Sequence, residues 1–148
     1  MRSGRAPGLL GAALIYAAAS FIHHLHNAVY LHAYPNLPQS LSVARVMAAW
    51  AATTLVGVVG YLLWQRGRRL AGLILLALYG ALGLLGLAHY WRAPFGSHSC
   101  AMNATIGFEV ATASCLLVFV VRELIGLAPP NNPPLRGSPG TPPGRSRT

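Results

Sequence analysis

Four apolar runs, each long enough to cross a bilayer, set the limits on what this 148-residue chain can fold into. They lie at about residues 8–32, 41–64, 70–91 and 100–127, against the ~20 apolar residues that a helix needs to span the hydrocarbon. In lipid every backbone N–H and C=O needs a partner within the protein, so runs of this length joined by short breaks have one economical solution. The sequence predicts an all-α, polytopic membrane protein with four transmembrane helices in an antiparallel bundle, and a lipid bilayer as its first partner.

The charges fit that reading and exclude another. A formal net charge of +9 points to nucleic acid when the basic residues form a surface. Here all eleven basic residues are Arg, the acids are Glu109 and Glu123 alone, and hydrophobic residues make up 54%. The arginines stand in short clusters between the apolar runs, the pattern of topology signals facing anionic lipid, so no nucleic-acid partner is expected. Arg2, Arg5, Arg66, Arg68, Arg69, Arg122, Arg136, Arg145 and Arg147 fall on one side of a four-span arrangement, with Arg45 and Arg92 on the other. That bias places both termini in the cytoplasm of a bacterial cytoplasmic membrane.

The breaks are compact. Tyr34-Pro35-Asn36-Leu37-Pro38 cannot continue a helix, Gln39-Ser40 can cap the next, and Gln65-Arg66-Gly67-Arg68-Arg69 is a basic turn. Gly8 to Ile22 has the length of a signal-peptide core, with a cleavage-like Ala17 to Ser20, but the helical pattern runs on to Tyr34-Pro35 and we read it as the first span. Ala48, Ala49, Ala52, Thr53, Gly57 and Gly60 along the second span, and Gly72, Tyr79, Gly83, Gly86 and Tyr90 along the third, are spaced for close helix packing. Residues 128–148 hold seven of the eleven prolines and are predicted to form a disordered tail. Cys100 and Cys115, on one helix, would stand ~22 Å apart and cannot bridge.

Polar chemistry is confined to one half of the bundle. His23-His24-Leu25-His26-Asn27 and His32 interrupt the first span, His89 closes the third, His98 sits in the loop after it, and Glu109 lies about eight residues into the fourth. At 1.5 Å per residue, His23 and Glu109 both fall ~12 Å below the outer boundary. Tyr16, Ser20, His23, His26, Asn27 and Tyr30 share a helix face, with His24 and His32 to its side. The expected site is therefore His23, His26, His89 and Glu109, supported by Asn27, Tyr30, Arg45, His98 and Asn103, and opening outward between spans one, three and four.

Several readings stay open. These residues bind a metal ion, or two of the histidines hold a haem, with a redox role. A metal-free His–Glu acid–base or proton-conducting site is the second. In the third, Glu109 pairs with Arg45 or an imidazolium and the polar groups satisfy one another. At the level of the whole protein, an assembly subunit with a membrane partner or second copy, and an enzyme or carrier for an outer-leaflet amphiphile, are the other classes.

His26-Asn27, Tyr34-Pro35-Asn36-Leu37-Pro38, His89-Tyr90 with Ala93-Pro94, and His98 with Ala101-Met102-Asn103-Ala104-Thr105-Ile106 and Glu109-Val110 resemble the phrases of small uncharacterised four-span bacterial integral membrane proteins. The likeness covers Ile15 to about Val121. It implies the four-span architecture and draws attention to the same outward residues, and it implies no activity or substrate.

Overall fold

A computed structural model describes residues 7–127; residues 1–6 and the expected tail at 128–148 lie outside the described residues. The apolar runs are helical. In chain order these are α1 (Pro7–Val29), a 3-10 turn (Leu31–Ala33), α2 (Val43–Gln65), α3 (Arg69–Gly83), a 3-10 segment (Leu84–Leu87), α4 (Ala88–Arg92), a 3-10 turn (Phe95–Ser97) and α5 (Cys100–Leu127). α3, the 3-10 segment and α4 make one continuous pass. The four passes, Gly8–Val29, Val43–Gln65, Arg69–Arg92 and Cys100–Leu127, are long and apolar enough to cross a membrane, and the described residues contain no strand.

Two boundaries differ from the sequence expectation for physical reasons. α1 stops at Val29 instead of His32, because the chain tightens into the 3-10 turn and folds Tyr34 back onto the helix, where the side chain is buried and its hydroxyl hydrogen-bonds His26 Nδ1 at 2.8 Å. The cap of α2 is Ser42, two residues past Ser40; its hydroxyl accepts the Arg45 backbone N–H at 3.3 Å and satisfies one of the free donors of the first turn. Across the same end, the Asn36 amide donates to the Arg92 carbonyl at 2.8 Å, closing the last turn of α4 from a distant loop.

The helices form a ring in which α1 packs on α2 and α5, and α3 packs on the same two neighbours. Their spacing is set by glycine. A Cβ on Gly72 would lie 2.5 Å from the Trp64 backbone nitrogen, and one on Gly57 would meet the Tyr79 ring at 2.4 Å. Of the small residues noted along the second span, Gly57 and Gly60 are buried while Ala48, Ala49 and Ala52 face outward. Leu9, Leu73, Leu76, Leu116 and Val120 fill the interior toward the terminal end at 0% exposure. Apolar side chains such as Leu14, Ile15, Leu55, Leu70, Ile74 and Ile125 are exposed around the circumference. A soluble domain does not carry such a belt, and hydrocarbon accepts it without cost. Trp91 and Phe95 are exposed where the pass ends, as suits an aromatic residue at the headgroups.

Gly67 holds the turn between α2 and α3 at φ +85°, with nothing within 4 Å of the position a Cβ would take. Gly67→Ala is therefore expected to cost about 1–2 kcal/mol by backbone strain alone. The measurement is thermal unfolding in detergent, where the transition moves down without change in helix content.

Candidate functional site

The polar residues gather at the end bearing the 30–42 and 93–99 connections, called distal here because the two ends of the described chain lie at the other. Ser20, His23 and Asn27 fall on the buried face of α1. Glu109, 2% exposed, faces them from α5: its Oε2 stands 3.5 Å from His23 Nε2 and its Oε1 3.8 Å from His24 Nδ1. His89 of α4 approaches His23 edge to face with ring centres 5.5 Å apart, and His23 and His24 stand 5.6 Å apart. Gly86 makes room for the carboxylate, since a Cβ there would sit 3.2 Å from Oε2.

These groups line one cavity of about 230 Å³. Its floor is Tyr16, whose hydroxyl donates to the Tyr79 carbonyl at 3.2 Å and whose ring packs on Tyr79 at 4.4 Å. Below that pair the interior is apolar. Ala49 and Leu85 are the exposed residues of the lining, so the mouth lies between α2 and the third pass. Counting back from Val43 and Arg92, it lies roughly 10 Å below the distal helix ends, at the level of hydrocarbon.

Hydrogen bonds fix the rings. His24 Nδ1 donates to the Ser20 carbonyl at 2.9 Å, and His98 Nδ1 to the Pro94 carbonyl at 3.2 Å. A carbonyl only accepts, so in each ring Nδ1 carries the proton and Nε2 the lone pair. The Asn27 amide donates to His23 Nε2 at 3.0 Å, leaving His23 Nδ1 and Asn27 Oδ1 buried without a partner among the described residues.

The residues expected from the sequence divide into two groups. His23, Asn27, His89 and Glu109 line the cavity. His26 turns away from it, to Tyr34 and to Tyr30, whose exposed ring lies tilted against it with centres 4.6 Å apart. His98 is buried beneath the loop, 6.2 Å from His89 and 5.4 Å from Tyr90 by ring centres. Asn103 holds that loop, accepting the Tyr90 hydroxyl at 3.0 Å and donating to the Phe95 and His98 carbonyls. Arg45 is exposed, and its guanidinium donates to the Ser40 carbonyl. Burial pushes the Tyr34 phenol up to about 12, which keeps it a neutral hydrogen-bonding group between His26, His89 and His98.

His24 is the cavity residue that periodicity set aside. It lies 100° from His23 around α1, on the side where α2 diverges, whereas His26 lies 60° to the other side, toward the loops. The presence of Gly86, a residue without a side chain one turn before His89, was the sequence signal that a bulky polar group comes close to that face.

Among the described residues the ionic partners of Glu109 are imidazoles, and no Arg reaches it. Among the described residues no group of three or more His, Cys, Asp or Glu side chains is placed to hold a metal ion. Comparison with models of protein families, with curated proteins and with solved structures gives no match for this chain. The chemistry of the cavity is therefore the guide: a carboxylate buried at hydrocarbon depth without a fixed cation takes up a proton or a cation, because leaving it charged and alone costs several kcal/mol.

Proposed function

We propose that this multi-pass membrane protein resides in a bacterial cytoplasmic membrane with both termini in the cytoplasm, and that the cavity in its distal half binds a divalent transition-metal ion through His23, His24, His89 and Glu109. The observation that carries the reading is the convergence of His23 and His24 on one buried carboxylate, with the His89 ring set against His23. Two imidazoles sharing a tetrahedral ion at ~2.0–2.1 Å per bond have ring centres about 5 Å apart. The 5.5 and 5.6 Å separations found here need only side-chain rotation to close, with the ion taking the place of the Asn27 N–H on His23 Nε2. Imidazole with carboxylate suits Zn²⁺, Fe²⁺ or Mn²⁺, and iron would give the site a redox role. At about 230 Å³ the cavity is smaller than the ~300–1,000 Å³ of pockets for organic ligands, which favours an ion over haem.

The test is elemental analysis of the full-length protein purified in mild detergent, followed by titration of the metal-free protein with Co²⁺. One equivalent of bound metal and the intense ligand-field bands of four-coordinate Co²⁺ are expected. A protein that holds no metal and leaves the Co²⁺ spectrum at that of the hydrated ion would sink the reading. The mouth between α2 and the third pass favours one second reading, in which the head of an outer-leaflet amphiphile reaches Glu109 from the bilayer. That reading requires a lipid to copurify and to be lost in Glu109→Gln.

A further inference from the structure

The mouth of the cavity faces hydrocarbon, and a hydrated cation does not cross hydrocarbon to reach it. Resting on the metal reading above, we propose that His98 and His89 form a loading ladder along which the ion passes from the distal face to the site at Glu109. The rungs are evenly set: ring centres lie 6.2 Å apart from His98 to His89, 5.5 Å from His89 to His23, and 5.6 Å from His23 to His24.

His98 is built as a ligand and not as packing. It is buried to 6% exposure, its Nδ1 is held by the Pro94 carbonyl, and its Nε2 is buried without a hydrogen-bond partner among the described residues. A histidine that donates one N–H to a backbone carbonyl and presents the other nitrogen bare has the arrangement of a metal ligand, in which the carbonyl sets the tautomer and raises the basicity of the free nitrogen. A buried ring nitrogen left without a partner is unfavourable if it serves nothing. The support behind it is equally specific, since Asn103 bonds both the His98 carbonyl and the Tyr90 hydroxyl. The residues that lead into His98, Phe95–Ser97, form an exposed loop on the distal side. At the other end the ladder stops, because the Tyr16–Tyr79 pair and the apolar interior close the bundle below Glu109. The ion thus arrives and leaves by one side, and the protein is a receptor for it, not a channel.

A conduit changes rates and a ligand changes affinity. Removing a rung of a reversible path slows loading and release by the same factor and leaves the dissociation constant where it was. Stopped-flow mixing of Co²⁺ with the full-length protein in nanodiscs measures both rates. For His98→Ala both are expected to fall at least tenfold, with the dissociation constant within twofold of the parent. His98→Cys, which restores a soft ligand at the rung, is expected to recover the rates and so separates loss of the ligand from damage to the loop. Parent protein that loads while His98→Ala loads and releases equally fast overturns the ladder and leaves the metal site standing. A slower loading with unchanged release, and hence weaker binding, makes His98 part of the site and also overturns it. Failure of the parent to bind Co²⁺ overturns both.

Discussion

Replacing Glu109 by Gln is expected to lower the affinity for Co²⁺ or Zn²⁺ by at least about 100-fold, beyond the ~10–100-fold typical of changes to groups that merely orient a ligand. Among the described residues the carboxylate is the one anionic group within reach of His23 and His24, so the amide keeps the shape of the side chain and loses the charge that holds the cation. The same substitution is expected to stabilise the metal-free protein. A buried carboxylate without a guanidinium or ammonium partner is a liability in the empty site, and a neutral amide removes most of it. Calorimetric titration and thermal unfolding of the metal-free and loaded forms together give the result. Opposite signs for affinity and stability are the expected outcome. A fall in both would mean that Glu109 serves the fold and not a ligand.

Gly72→Leu is expected to have the largest structural effect of any single change. Between helices in lipid there is no water to exclude, so association rests on close backbone approach and dispersion contacts. At Gly72 the obstruction is backbone: besides the Trp64 nitrogen, the Gly60 carbonyl oxygen would lie 2.7 Å from the new Cβ. Neither can swing aside as a side chain can. Parting α2 from α3 here is expected to destabilise the bundle by about 3 kcal/mol or more, at the upper end of overpacking costs, read as a shift in the unfolding midpoint in mixed micelles. Gly107 and Gly126 are the controls, for they lie in α5 with nothing within 4 Å of the place a Cβ would take. Alanine at either is expected to change stability by no more than about 1 kcal/mol.

The architecture was legible because lipid leaves few choices. Length, hydropathy and the breaks at Tyr34-Pro35 and Gln65-Arg66-Gly67 locate four passes, and counting residues along each gives the depth of every polar group. Depth put His23, His89 and Glu109 in the same half of the bundle, and in the structure His23 lies 3.5 Å from the Glu109 carboxylate and packs edge to face against the His89 ring. Direction around the helix was less legible. His23, His24 and His26 differ little in depth, and the choice between His24 and His26 depends on where α2 diverges from its neighbours, which no single helix encodes. The role of Asn103 was hidden for a related reason: its partners Tyr90, Phe95 and His98 belong to a loop whose path is set by Asn36 and Arg92, remote in the chain.

The four residues Leu84–Leu87 carry a consequence for the whole third pass. A 3-10 segment advances by about 120° per residue where an α-helix advances by about 100°, so this stretch adds roughly 80° of rotation before His89. An unbroken α-helix would set His89 about 140° around the axis from the buried Leu76, aimed at lipid; the extra winding brings it to about 60°, within reach of His23. The segment is also longer, by ~2 Å over its length, since each residue rises ~2.0 Å instead of 1.5 Å. Pitch, span length and the heading of one imidazole are thus a single mechanical variable, and rewinding one turn inside the membrane would shorten the pass and swing His89 out of line without altering a single ligand.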